Sequence, residues 1–271
     1  MSTLRRFLTV SLAVLLFGTT FMAAAAVENT DPSNTSFRFT ILYDNYVHRE
    51  GTQADWGFSC LIEGTEKTIL FDTGTKPQIL LHNIGVLGVD LTKVDQVIIS
   101  HNHGDHTGGL AAVLERNPNV TVFFPVSTPP EFGKRAAGLK AQAVDKPIEI
   151  CRNVYLTGEM GDKIKEQSLV IDSPGGLIIV TGCSHQGIVK ILKRAKEIVD
   201  KPIHLVFGGF HLLDKPDSEI EEIIAAFKEL EVEKCGATHC TGDKPIAMFK
   251  TAFSENYIPM GTGKIIEVPG F

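Results

Sequence analysis

A run of candidate metal ligands at the end of an apolar strand is the feature that most constrains this chain. Residues 101–106 read HNHGDH, so three imidazoles and one carboxylate fall within six positions. They follow an apolar, β-branched segment at 94–100 that predicts a buried strand, and they precede a helix predicted over 109–116. A core strand that ends in four candidate ligands predicts a metal site on a tight loop. The alternative is a polar surface loop rich in histidine.

The spacing within this motif indicates how its side chains divide. Alternate residues of an extended chain point to the same side, so we expect His101 and His103 to face one ion. Gly104 lets the chain turn, and Asp105 and His106 then face a neighbouring position. The motif alone thus predicts two adjacent groups of ligands.

Composition bounds the class of protein. The chain has 271 residues, of which 43% are hydrophobic and 21% charged, as expected for a globular protein with a sizeable core. Its net charge of -6 disfavours a broad basic surface for nucleic acid. We therefore expect a small-molecule substrate and no nucleic-acid partner, while the oligomeric state stays open.

The N-terminal segment predicts export. Arg5 and Arg6 precede an apolar run at 7–21 and an alanine-rich stretch at 23–26, the pattern of a secretory signal peptide over residues 1–26. Residues 27–36 are polar and predict a flexible lead-in. The mature protein is then expected to be periplasmic or secreted, without stable membrane association. An uncleaved segment would instead anchor the chain to the membrane.

The remaining chain predicts two halves, each with strands followed by helices, which favours an α/β fold of two facing sheets covered by helices.

Five cysteines at irregular spacing do not form a disulfide framework. A pair between Cys235 and Cys240 is left open, and free thiols are expected elsewhere.

The motif at 101–106, together with LFDTG at 70–74, resembles the signature of the metallo-β-lactamase superfamily. The resemblance implies a four-layer αββα sandwich over residues 37–271, with a binuclear metal site at one edge between the sheets. It assigns His101 and His103 to one ion, and Asp105 and His106 to the second.

Further ligands are needed to complete two sites. His185, His211 and His239 each follow a predicted strand and are the remaining candidates, the alternative being a hydrogen-bonded polar residue at a strand end. Most of the family carries a bridging Asp where this chain has Cys183, which is either a thiolate ligand or a residue that lines the pocket. Asp72 is expected to orient a ligating imidazole, or else to be a plain turn residue.

Three short segments narrow the resemblance: CSH at 183–185, GGFHL at 208–212 and HCTG at 239–242, with the pair Asp44-Asn45 earlier in the chain. They resemble the dihydropterin-linked ribofuranosyl-aminobenzene phosphate synthases. That subgroup contains transferases that join a pterin diphosphate to an aminobenzene ribose phosphate.

The expected function is that of an exported metal-dependent hydrolase. Two divalent ions, zinc in the first place and iron or manganese as alternatives, would activate water against an ester, lactone, thioester or phosphoester. Asp105 is expected to accept the proton of that water. The alternatives are a transferase of the synthase type and a metal-binding protein without turnover.

Overall fold

The computed structural model describes residues 36–129 and 140–270, which belong to one compact unit. The predicted signal peptide at 1–26 and most of the predicted lead-in lie outside the described residues. The first strand begins at Ser36, the last residue of the predicted lead-in. No helix in the described ranges is long and apolar enough to cross a membrane.

The first sheet is built from the N-terminal half and the last strand. Its strands are β1 (Ser36–Tyr43), β2 (Ser59–Glu63), β3 (Ile69–Phe71), β4 (Gln96–Ile98), β5 (Thr121–Pro125), β6 (Lys140–Val144) and, at the end of the chain, β13 (Ile265–Pro269). They pair in the order β13-β1-β2-β3-β4-β5-β6. Strands β3 to β6 run parallel to one another.

The second sheet comes from the C-terminal half. Its strands are β7 (Ile148–Cys151), β8 (Val154–Leu156), β9 (Leu169–Ser173), β10 (Gly176–Thr181), β11 (Ile203–Gly209) and β12 (Lys234–Thr238), paired in the order β12-β11-β10-β9-β8-β7. Strands β10, β11 and β12 are parallel, because a helix connects each to the next.

The helices are α1 (Pro77–Leu87), α2 (Gly104–Thr107), α3 (Leu110–Arg116), α4 (Ile188–Ile198), α5 (Asp217–Glu229) and α6 (Asp243–Phe253). Short 3₁₀ turns lie at Leu91–Lys93, His239–Thr241 and Ser254–Asn256. Helix α1 ends before Gly88, which has a left-handed φ of 69°, and β6 is the edge strand of the first sheet beside β5.

Three apolar layers hold these elements together. Between the sheets, Phe39 and Phe71 pack with Val180 and Phe207, and the rings of Phe39 and Phe207 meet edge to face at 5.3 Å. The outer face of the first sheet packs on α1 and α3, and that of the second on α4, α5 and α6. The predicted four-layer αββα architecture is therefore confirmed.

The fold brings the carboxyl ends of five parallel strands to one edge. Asp72 follows β3, His101 follows β4, Cys183 follows β10, His211 follows β11 and His239 follows β12. Polar side chains at the carboxyl ends of parallel strands converge at the mouth of a layered α/β fold. The two sheets are in close contact at this edge. Gly182 follows β10 and Ser100 follows β4, and a Cβ atom at Gly182 would overlap the Ser100 hydroxyl.

Candidate metal centre

Three imidazoles are fixed through one ring nitrogen and present the other. His106 Nδ1 lies 2.7 Å from Asp72 Oδ2, and His101 Nδ1 lies 2.9 Å from Ser100 Oγ. His239 Nδ1 lies 3.0 Å from Asn45 Oδ1. Their Nε2 atoms all lie near other ligand atoms of the site. An imidazole held in this way by a polar partner is oriented for metal binding.

Asp72 organises the first side of the site. Besides the Nδ1–H of His106, it accepts hydrogen bonds from the backbone N–H and the hydroxyl of Ser100, both at 2.7 Å. The Ser100 hydroxyl in turn contacts His101. Asp72 is fully buried and has a left-handed φ of 56°. A single carboxylate thus orients one imidazole directly and a second through Ser100.

Cys183 lies at the meeting point of the ligand set. Its Sγ is 3.2 Å from His106 Nε2 and 3.4 Å from His239 Nε2. It belongs to one group with Asp105, His106 and His239, and to another with His101 and His185. Within each group the ligand atoms all lie within 4.8 Å of one another. The thiol therefore occupies the position between two donor groups.

The second donor group contains His101 and His185, whose Nε2 atoms are 3.3 Å apart. The ring of His103 lies 4.6 Å from that of His101 and 4.9 Å from that of His185, so it borders this group from the exposed side. His211 is placed differently from the other candidates: its ring is 4.3 Å from that of His185, but its nitrogen groups with Cys183 and Cys240.

One local prediction about the motif is wrong. Gly104 does not form a tight turn but begins helix α2, with His103 as its N-cap residue. Asp105 and His106 are therefore helical, and this helical turn directs both side chains towards His239: Asp105 Oδ2 lies 3.5 Å from His239 Nε2 and 3.6 Å from His106 Nε2.

The electrostatics suit a bound cation. Burial and the neighbouring imidazoles hold the pKa of His101 well below its usual range and lower that of His185 to about 3. Burial opposes ionisation of His106 too, but the carboxylates of Asp72 and Asp105 outweigh it and raise its pKa to about 10. Neutral imidazoles can donate lone pairs, and the same carboxylates that attract a proton attract a metal ion.

The donor set fits divalent metal ions. Imidazole and thiolate suit zinc, and a carboxylate adds an oxygen ligand that iron and manganese also accept. All five cysteines are free thiols, so Cys183 and Cys240 are available as ligands and the pair Cys235–Cys240 is not a disulfide in this structure.

Several residues of the site had no role in the sequence predictions. Glu166 is fully buried and accepts the backbone N–H groups of Cys183, Ser184 and His185 at 2.7–2.9 Å. Glu166 lies outside any sequence motif. It precedes β9, and the pairing of β9 with β10 brings it to the loop after β10. Trp56, the single tryptophan, donates its Nε1–H to Asp105 Oδ2 at 2.8 Å. Asn45 belonged to a recognised pair, but its contact with His239 spans 194 positions.

Comparison with known proteins identifies the family. Residues 57–188 match the model of the metallo-β-lactamase superfamily. The 7,8-dihydropterin-6-methyl-4-(β-D-ribofuranosyl)-aminobenzene-5'-phosphate synthase of Methanocaldococcus jannaschii is 34% identical, and the match covers 84% of this chain and 95% of that protein. The chain belongs to the metallo-β-lactamase superfamily. The family predicted from the motifs at 70–74 and 101–106 is therefore confirmed.

Solved structures of superfamily members agree. The structure of a metal-dependent hydrolase of the β-lactamase superfamily is 30% identical to this chain in sequence, with a TM-score of 0.74. The match covers 86% of this chain and 99% of that chain. The metallo-β-lactamase fold protein YhfI from Bacillus subtilis is 16% identical with a TM-score of 0.64, covers 86% of this chain and 100% of its own, and shares the fold. This chain thus has the scaffold of a metal-dependent enzyme.

Proposed function

We propose that this member of the superfamily is a metal-dependent hydrolase of an ester, lactone, thioester or phosphoester. The observation that carries the proposal is the pair of donor groups that share Cys183 at the edge between the sheets. Two divalent ions held there would polarise a substrate oxygen and lower the pKa of a bound water to about 7. Zinc is the metal we propose, because imidazole and thiolate both suit it.

The candidate ligands divide between two ions, and one of them also has a role in proton transfer. His101, His103 and His185 would hold one ion, and Asp105, His106 and His239 the other, with Cys183 between them. Asp105 is also the carboxylate we assign to proton transfer. Its Oδ2 is held by the indole of Trp56 at 2.8 Å, which keeps it facing the site.

A second candidate is a transfer reaction of the synthase type. It is favoured by the match to the M. jannaschii synthase, at 34% identity over 84% of this chain. In this alternative the same ions would bind phosphate oxygens of the substrate instead of activating water.

The test is turnover of a panel of esters, lactones, thioesters and phosphoesters by zinc-loaded protein. We expect turnover that a chelator abolishes. His103→Ala should reduce it by more than the roughly 10- to 100-fold typical of a residue that only orients a ligand. His48→Ala is the matched control, since this exposed imidazole lies outside both donor groups.

Two other outcomes would contradict the hydrolase, and a third would correct the assignment of one ligand. Formation of a coupled product from a dihydropterin diphosphate and a ribofuranosyl-aminobenzene phosphate, with no hydrolysis, would establish the transferase. Metal binding without either reaction would indicate a binding protein. Unchanged turnover and metal content in His103→Ala would remove the metal assignment of that residue.

We also propose that the protein is exported, on the basis of the sequence of residues 1–26. Fractionation of producing cells, followed by N-terminal sequencing, should recover a periplasmic or secreted chain that begins near Val27. Recovery of an intact N-terminus in the membrane fraction would establish an anchor, and recovery in the cytosol would reject export.

A further inference from the structure

Two thiols and one imidazole form a third cluster beside the two donor groups. Cys183 follows β10, His211 follows β11 and Cys240 lies in the 3₁₀ turn after β12. The two Sγ atoms and a ring nitrogen of His211 all lie within 4.8 Å of one another. The sequence predictions named Cys183 and His211 as possible ligands of the binuclear centre but gave Cys240 no role as a ligand.

The backbone is shaped to bring Cys240 into this position. A Cβ atom at Gly209 would lie 2.7 Å from Cys240 Sγ and 3.2 Å from Cys183 Cα, so a larger residue there would displace the thiol. Both cysteines are buried, with 3% of their surface exposed. His211, in contrast, is exposed and has a left-handed φ of 53°. The cluster therefore has a buried sulfur side and an open imidazole side.

The donor chemistry of this cluster differs from that of its neighbours. Two thiolates and one imidazole are the protein ligands of one type of catalytic zinc site, in which a fourth position stays open. Thiolate sulfur selects soft and borderline ions such as Zn²⁺ over the hard ions Mg²⁺ and Mn²⁺. The other two groups offer mainly imidazole and carboxylate.

We propose that Cys183, His211 and Cys240 form a further site for a thiophilic divalent ion, next to the two imidazole-rich groups. The Cys183 sulfur is shared with those groups, since a thiolate can bind more than one ion. Cys183 is already a thiolate when the neighbouring groups hold their ions, so binding of this ion releases one proton to solvent, from Cys240. The open position of this ion faces the solvent beside His211. The proposal concerns metal binding alone and does not depend on the reaction catalysed.

The test is cobalt titration of the full chain, stripped of metal and kept reduced. Co²⁺ reports thiolate ligation by a near-ultraviolet charge-transfer absorption, and the number of bound ions is counted by elemental analysis. We expect the wild type to bind three ions per chain. Cys240→Ala and His211→Ala should each bind two and lose part of the charge-transfer absorption. His211 is exposed, so its replacement leaves the core intact.

Cys235→Ala is the matched control, because Cys235 is a buried thiol of the same region that packs in the apolar layer outside the second sheet. It should bind three ions with unchanged absorption. Two ions in the wild type and in both variants, with the same absorption, would overturn the proposal. A weaker absorption in Cys240→Ala with no loss of an ion would also overturn it, since Cys240 would then ligate an ion of the other groups.

Discussion

The two sides of the metal centre are each held by a buried carboxylate, but these carboxylates bind different parts of the chain. On the side of the first sheet, Asp72 accepts hydrogen bonds from the ring of His106 and from both donors of Ser100. It thereby fixes the orientation of side chains whose backbone already follows a strand and a helix.

On the side of the second sheet, Glu166 binds backbone instead. Its oxygens accept the successive N–H groups of Cys183, Ser184 and His185, and Ser184 has a left-handed φ of 67°. These residues lie in the loop after β10, where no regular structure supplies acceptors for them. Asp72 therefore determines how the ligating side chains point, whereas Glu166 determines the path of the loop that carries them.

The largest effect should come from removing Glu166. Glu166→Ala leaves three N–H groups without their acceptor, two of them buried and that of His185 half-buried. Each such group costs about 1–3 kcal/mol, so we expect a loss of roughly 3 kcal/mol or more in the free energy of unfolding. Urea denaturation of the metal-free protein measures it. Glu166→Gln keeps one acceptor oxygen and should lose clearly less, and a Glu166→Ala variant as stable as the wild type would show that Glu166 does not hold this loop.

Asp72 should act more on metal binding than on folding. Asp72→Asn keeps an acceptor for the Ser100 N–H but not the acceptor for His106 Nδ1–H. We expect metal affinity to fall roughly 10- to 100-fold, as for other residues that orient a ligating imidazole. Competition with a chromophoric chelator measures the affinity. Glu166→Gln should change it less, and the reverse order would break the distinction between the two carboxylates.

The same distinction explains how far the sequence predicts this centre. His101, His103, Asp105 and His106 stand in one short motif after a strong strand pattern, and their convergence follows from local geometry and from the family resemblance. Only the backbone conformation at Gly104 differs from the prediction, because helix α2 begins there. The αββα fold was equally predictable, since its alternating strands and amphipathic helices are local signals.

The second side depends on long-range packing. Whether Cys183 lies between the donor groups depends on the pairing of β10 with β11 and on the contact between the sheets at Gly182. Glu166 reaches the loop after β10 only once β9 and β10 pair, and Cys240 reaches Cys183 only past Gly209. None of these distances follows from the spacing of residues along the chain.

A third buried carboxylate, Asp44, should titrate near neutral pH, because burial outweighs its hydrogen bonds. It accepts hydrogen bonds from the Thr238 hydroxyl and the Tyr46 N–H, but burial outweighs them and raises its pKa to about 7. An unfolded Asp has a pKa of about 3.9, so the protonated form is favoured by folding. The stabilisation that comes from protonated Asp44 is complete below a pH of about 3.9 and is lost as the pH rises to about 7.

The measurement is the difference in unfolding free energy between the wild type and Asp44→Asn, in chelator, as a function of pH. This difference should fall by about 1.4 kcal/mol per pH unit between pH of about 5 and 7, because the variant cannot release the proton. A difference that stays constant across this range would show that Asp44 is ionised throughout, as a carboxylate with several strong donors would be.

The smallest effect is expected where the two sides meet at Asp105. Trp56→Phe keeps an aromatic side chain and removes the Nε1–H that holds Asp105 Oδ2, a partly exposed hydrogen bond worth about 1 kcal/mol. We expect kcat/KM of the zinc-loaded protein to fall by roughly three- to tenfold. Tyr46→Phe is the matched control, because its hydroxyl donates to Asp243, outside both donor groups. If both variants lost activity equally, the effect would not pass through Asp105, and this carboxylate would be held by His106 and His239 alone.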